Sequence, residues 1–253
     1  MTSLIDTHIH LDFFEDPAAI VAEANGSNVG ELIVPGVAAG DWQQLLAVAE
    51  SIPGVWAAPG LHPQEAIPWT GDLETTFRQA LDHPRVVAIG EVGLDKQAAA
   101  DLDVQEDLLR RMIGMARDHE LPLLLHVRRA TGRVLRLLQQ EKADQVGGIW
   151  HAFSGSLETA QRLFDLNFAI GVGGIVTFPE AKRLPEVVVQ APAERLVLES
   201  DAPDMAPHPH RKKQNRPAYL PLIARKVAQL RNWDLEETAE VTSGNARKIF
   251  RLP

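Results

Sequence analysis

Short apolar runs recur along the chain at 4–10, 31–36, 55–62, 86–92, 122–127, 148–153, 168–173 and 195–201. Each has strand length, and between most of them lie longer segments with helical spacing. The clearest of these places Val104, Leu108, Met112 and Met115 on one face, which Leu109, Ile113 and Ala116 widen. Strand and helix in alternation predict parallel strands covered by helices. Near-continuous runs such as Leu123-Leu124-Leu125 suit strands buried on both faces. The segment 217–250 reads as two closing helices. Eight strand–helix alternations over 253 residues predict an α/β fold, a TIM-type (β/α)8 barrel, with an open doubly wound sheet as the alternative.

No composition shift, linker or repeat divides the chain, so a single domain spanning 1–253 is expected. Hydrophobic residues make up 45%, ample for one large core. A net charge of −9 argues against a protein that coats nucleic acid generally, although bound cations would reverse the field within an acidic cleft. The absence of cysteine excludes disulfides, thiolate ligands and a cysteine nucleophile. No basic segment precedes an apolar stretch near Met1, and no run reaches the roughly 18 apolar residues of a membrane span. A cytoplasmic protein without membrane association is expected.

The polar residues that interrupt these apolar runs carry the chemistry. His8, His10, Glu91, His126, His151 and Asp201 all fall near the carboxyl ends of separate predicted strands. That is the face on which barrel enzymes build their sites. Imidazole and carboxylate groups suit divalent cations, here magnesium, manganese, zinc or cobalt, and this set is large enough for two of them with positions left open. Two ions about 3.5–4 Å apart can stabilise both the attacking and the leaving oxygen of a hydrolysis. Asp6, His8 and His10 alternate with Thr7 and Ile9, so an extended backbone would send all three to one face. Asp6 is then expected to orient an imidazole. Glu91 follows an apolar run and needs a cation or strong donors to stay ionised. Asp201 is the expected final ligand and proton acceptor, whereas Glu199 is expected to make a supporting contact or salt bridge.

Other candidates are weaker. His62, in Gly60-Leu61-His62-Pro63, is expected to meet substrate rather than metal. His83 reads as a loop residue, His119 as a helix-terminal one, and His208 and His210 as part of a solvated loop. Gly171, Gly173 and Gly174 lack the rest of any phosphate-loop motif and are expected to serve close backbone packing. Arg211, Lys212 and Lys213 form a basic run after the eighth strand, expected to contact phosphate or simply to be solvated.

The ordered set Asp6-Thr7-His8-Ile9-His10-Leu11, Gly60-Leu61-His62-Pro63, Gly90-Glu91-Val92-Gly93-Leu94-Asp95, His151-Ala152-Phe153-Ser154-Gly155 and Glu199-Ser200-Asp201-Ala202-Pro203 resembles the TatD family of the amidohydrolase superfamily. Asn215-Arg216-Pro217, Asn245 and Phe250 extend the similarity. The resemblance implies a metal-dependent hydrolase with deoxyribonuclease activity, including 3'-to-5' exonuclease activity. It implies that His8, His10, Glu91 and Asp201 surround one ion and Glu91, His126 and His151 the other, with His62 and Arg128 contacting substrate. Lys96 stands where relatives often carry an aromatic residue, and Ala152 where they often carry cysteine. The expected reaction is phosphodiester hydrolysis at a DNA end. An amide or ester hydrolase using the same ions is the alternative, and a non-enzymatic metal-binding barrel is a more distant one.

Overall fold

The computed structural model describes residues 2–253 and contains eight strands and nine α-helices among them. The strands are β1 (Leu4–Asp6), β2 (Val29–Pro35), β3 (Val55–Ala58), β4 (Ile89–Asp95), β5 (Leu123–Arg128), β6 (Gly148–Trp150), β7 (Phe168–Val172) and β8 (Leu196–Leu198). The helices are α1 (Pro17–Gly26), α2 (Trp42–Ser51), α3 (Gly71–Leu81), α4 (Leu102–Asp118), α5 (Thr131–Gln140), α6 (Leu157–Asp165), α7 (Arg183–Gln190), α8 (Leu220–Arg231) and α9 (Leu235–Phe250). Every expected apolar run overlaps a strand, and the tail forms the two helices α8 and α9. No helix among the described residues is long and apolar enough to cross a membrane.

Contacts group the chain into two compact units, neither continuous in sequence. One comprises Met1–Val34, His151–Phe164 and Ala169–Pro253, and the other Pro35–Trp150 with Asp165–Phe168. In the first unit β1 pairs with β2 and β7 with β8, all parallel, with Leu4 opposite Val29 and Ile170 opposite Leu196. Helix α9 packs on β1 and β8. Asn245 ties α9 to this end of the sheet: its buried amide donates to the carbonyls of Ala193 at 2.7 Å and Leu196 at 2.9 Å, fixing the entry to β8.

In the second unit β4, β5 and β6 run parallel, with Val92 opposite Leu125 and Leu125 opposite Trp150. Helix α4 covers β4 and buries Leu108, Leu109, Met112, Ile113, Met115 and Ala116, the face expected from their spacing. Val104, expected on that face, is only half-buried. Gln105 takes the enclosed place instead, because its amide pairs with the backbone of Asp95.

Two further expectations are corrected. All strands but β4 and β5 end earlier than the apolar runs, so His8, His10, His62, His151 and Asp201 lie beyond the last strand residue, and of the six proposed ligands only Glu91 and His126 are within strands. Regular alternation from Asp6 to His10 therefore does not hold; His10 has φ −93° and ψ 85°. Two glycines allow neighbouring segments of the second unit to approach closely. A Cβ on Gly60 would stand 2.4 Å from the carbonyl carbon of Gly90, and one on Gly90 would stand 2.5 Å from the Leu124 Cβ. These contacts exclude any larger side chain.

Asn245→Ala removes both bonds and leaves two enclosed carbonyls without their donor. We expect a loss of about 2–3 kcal/mol of stability, measured by urea denaturation, with secondary structure retained at low denaturant.

Candidate metal-ligand groups

Beyond the end of β1 the chain is held in place by β8's own extension. Thr7 N donates to Leu198 O at 3.0 Å, His10 N to Ala202 O at 2.9 Å, and Asp201 N back to His8 O at 2.9 Å. The fully enclosed Asp6 carboxylate ties the two segments together, its Oδ1 accepting from Ser200 N at 2.8 Å and His8 N at 3.3 Å. Asn215 braces the outer side of the turn, donating to Ser200 O and Asp204 O at 2.7 Å each. Asp201 is thereby held at φ +56°, a conformation that aspartate tolerates better than most residues.

This backbone zipper converges three side chains of the first unit. His8 Nε2 is 3.3 Å from His10 Nε2, and Asp201 Oδ1 stands 3.8 and 4.0 Å from the same two atoms. Ligand atoms about 2.0–2.2 Å from a single ion lie roughly 3–4 Å from one another, so the triangle fits one divalent cation. The His151 ring stacks on His8 with centroids 3.9 Å apart and planes 11° from parallel.

Glu199 faces the same cluster from β8's end. Its Oε1 accepts from Ala152 N at 2.5 Å, and Oε2 lies where a Gly171 Cβ would be, 1.9 Å away. Gly173 also faces Glu199, and a Cβ on Gly174 would meet Met205 O at 2.1 Å, so these glycines serve close packing as expected. Burial pushes the Glu199 carboxyl up to about 8 against the pull of His151, and burial likewise pushes Asp6 up to about 7 despite the donors from Ser200.

The second unit supplies another group. Glu91, on β4 and enclosed, has Oε1 2.6 Å from His126 Nδ1 on β5, a hydrogen-bond contact. His126 Nε2 lies 3.6 Å from Asp95 Oδ2, so the imidazole sits between two carboxylates. Asp95 is itself fixed by Gln97 N at 2.7 Å and by Gln105, which accepts from Asp95 N at 2.8 Å and donates to Asp95 O at 3.1 Å. Arg128 approaches the same Oδ2 at 4.0 Å while its side chain stays 55% exposed. His62 Nε2 is 3.2 Å from His126 Nδ1 and 3.7 Å from Glu91 Oε1. Its Nδ1 accepts from Gln64 N at 3.1 Å, so a neutral ring carries its proton on Nε2.

Outside these groups, His83 Nδ1 accepts from Arg85 N at 3.2 Å, His119 caps the end of α4, and His210 stacks on Tyr219 at 4.1 Å. Arg211 pairs with Glu180 and lies over the Phe178 ring at 4.4 Å, whereas Lys212 and Lys213 are exposed. Sequence reasoning missed the roles of Asp95, Gln105 and Phe13. Gln105 on the buried face of an amphipathic helix was the available signal for the first two. Phe13 is 57% exposed with its ring 5.4 Å from His10, and nothing in its local pattern marks it as a surface aromatic.

Parallel strands whose ends carry imidazole and carboxylate groups at ligand spacing define an α/β protein built to hold metal. The TatD related DNase family matches residues 5–251, and this chain belongs to it. A Bacillus subtilis (strain 168) protein named as the uncharacterized metal-dependent hydrolase YabD is 36% identical over 253 residues, with 98% of this chain and 99% of that one covered. The 3'-5' ssDNA/RNA exonuclease TatD of Pantoea sp. (strain At-9b) is 35% identical over 248 residues, 95% of each chain. The crystal structure of YjjV, a TatD homolog from Escherichia coli K12, matches with a TM-score of 0.93 at 34% identity, covering 99% of this chain and 98% of that one. The fold class is accordingly α/β of the TIM-type (β/α)8 kind.

The two raised carboxyls give a pH signature. Unfolded, they ionise near their ordinary values of 3.8 and 4.5; folded, they keep their protons to about 7 and 8. Over that interval the native state binds more protons than the unfolded one, so stability falls as pH rises and levels off above the upper value. Chelator-treated protein should show this in urea midpoints between about pH 5 and 9, and Glu199→Gln should remove the upper part of the slope. A flat profile in the unmodified protein would contradict the assignment.

Proposed function

We propose that this chain is a binuclear metal-dependent hydrolase that cleaves phosphodiester bonds at a nucleic-acid end, with 3'-to-5' exonuclease activity. The observation that carries this reading is the convergence of His8, His10 and Asp201, with ligand atoms all within 4.8 Å of one another, and separately the approach of Glu91 to His126. The exonuclease name of the Pantoea relative supports the substrate class. We take residues 1–253 as one functional domain.

In this reading His8, His10, Glu91 and Asp201 hold one ion and Glu91, His126 and His151 the other, as the family resemblance implies. Magnesium, manganese, zinc and cobalt all suit this donor set. The ions, when bound, would acidify water and neutralise the charge that develops on the phosphodiester. Asp201 would accept the proton of the attacking water, since its carboxylate stands at the mouth of the first group and is 11% exposed while His8 is fully enclosed. Asp95 would keep the His126 ring oriented. Arg128, exposed, and His62, with a proton on Nε2, would bind oxygens of the substrate phosphate. An amide or ester substrate would need a separate oxyanion pocket, for which no observation speaks.

The deciding assay strips the protein, reloads it with each of the four metals, and follows end-labelled single- and double-stranded DNA, RNA, phosphomonoesters, amides and esters. Loss of nucleotides from the 3' end is the expected outcome, and hydrolysis of only amides or esters would overturn it.

Glu91→Gln should lower the bound metal, counted by elemental analysis, and suppress turnover with the fold kept. Two ions per chain and near-normal turnover in this variant would exclude a shared role for Glu91. Asp201→Asn keeps the size but removes the proton acceptor. Turnover should fall by roughly 100-fold or more, the scale of general-base catalysis, with a smaller change in KM. An effect confined to KM would contradict its role.

A further inference from the structure

Two loops of the first unit are braced against each other next to the segment that carries Asp201. His208 N donates to Thr177 Oγ1 at 2.8 Å, and Gly174 lies against Met205 and Ala206 so closely that a Cβ would stand 2.1 Å from Met205 O. Arg211 completes the brace by pairing with Glu180 and covering the Phe178 ring. The second loop returns to the turn at Asp201 through Asn215, whose amide holds Ser200 and Asp204.

Within 177–183 and 207–213 there are five basic residues and one acid. The acid, Glu180, is engaged by Arg211. Lys182, Arg183, Lys212 and Lys213 are exposed and have no carboxylate partner among the described residues. In a chain of net charge −9 a local surplus of this kind is not what surface balance produces, and like charges on braced loops repel one another without an anion between them. An isolated phosphate would need one or two of these cations. Four spread over two loops suit a polymer of phosphates. No exposed large apolar side chain lies within these two segments, and the nearby Phe178 ring is covered by Arg211, which gives little to insert into a bilayer.

We propose that these braced loops form a platform that holds the backbone of a single-stranded nucleic acid upstream of its reacting end, with Lys182, Arg183, Lys212 and Lys213 as the phosphate contacts and Arg211 as a positioning residue. The inference rests on the nuclease reading above for its polymer, and it changes the expected role of the basic run: Arg211 frames the platform, and the 177–183 loop contributes half of the contacts. Recognition through phosphates alone is indifferent to base sequence.

The test uses metal-loaded protein and a variant carrying Lys182→Ser, Arg183→Ser, Lys212→Ser and Lys213→Ser, with binding of a fluorescent single-stranded 20-mer blocked at its 3' end followed by anisotropy across a salt series. The variant should bind at least about 10-fold more weakly at low salt, and its log–log salt slope should be shallower by up to about 3, from roughly 0.7 per contact on single strands. Turnover of a small phosphodiester, bis(p-nitrophenyl) phosphate, should be unchanged, which also shows that the variant is folded. Equal oligonucleotide binding and salt slope in both proteins would overturn the platform. So would attachment to phosphatidylglycerol vesicles, lost in the variant, without binding of the oligonucleotide. If the unmodified protein binds the 20-mer in a salt-dependent way that the variant loses, yet cleaves no unblocked strand, the platform stands and the nuclease reading fails.

Discussion

The first ligand group depends on a carboxylate that need not itself touch metal. Asp6 is enclosed at the end of β1 and accepts the backbone N–H groups of Ser200 and His8 through one oxygen. Removing a carboxylate from water is costly, and the cost is partly offset here by donors from two chain segments far apart in sequence. The segments are thereby locked in register exactly where strand pairing stops. His8, His10 and Asp201 inherit that register, since each sits within two residues of a bond made by the zipper. Without it, three ligands in irregular backbone would have no reason to keep a spacing of 3.3–4.0 Å.

The second group is built by a different device. Glu91 and His126 stand on paired parallel strands, so their approach follows from sheet register, and what needs separate control is the orientation of the imidazole. The group placed to supply it is Asp95, 3.6 Å from the ring, whose backbone is held in turn by Gln105 on α4. A covering helix thus reaches through the strand backbone to the ring that faces Glu91. The two groups share ligand types but differ in how they are held: hydrogen bonds beyond the strand ends in one, paired strands with a bracing helix side chain in the other.

Much of this was legible in the sequence because the physics involved is periodic. Apolar runs located all eight strands, and helical spacing identified the buried face of α4. The ligand set was legible for a related reason, since imidazoles and carboxylates directly after apolar runs contradict simple burial. Strand ends were not legible. The residues after Asp6 keep the alternation of a strand, and only tertiary bonds decide that they leave the ladder. The side-chain supports were hidden as well: Gln105 and Asn245 look like ordinary polar helix residues until the carbonyls they meet are known. Arg211 read as one of three equivalent cations, and its neighbours Glu180 and Phe178 set it apart.

Glu199 and Gly171 occupy what is in effect one shared volume, since the oxygen of one fills the place where the other's first side-chain atom would go. Two positions that compete for the same space cannot vary independently. A lineage that shortened residue 199 would open a void beside β7 that a methyl group at 171 could fill, whereas enlarging 171 first would drive the carboxylate off Ala152 and disturb the turn that carries His151. The order of events therefore matters, and descendants of this chain should be able to exchange an acid at one position for bulk at the other only along a single path.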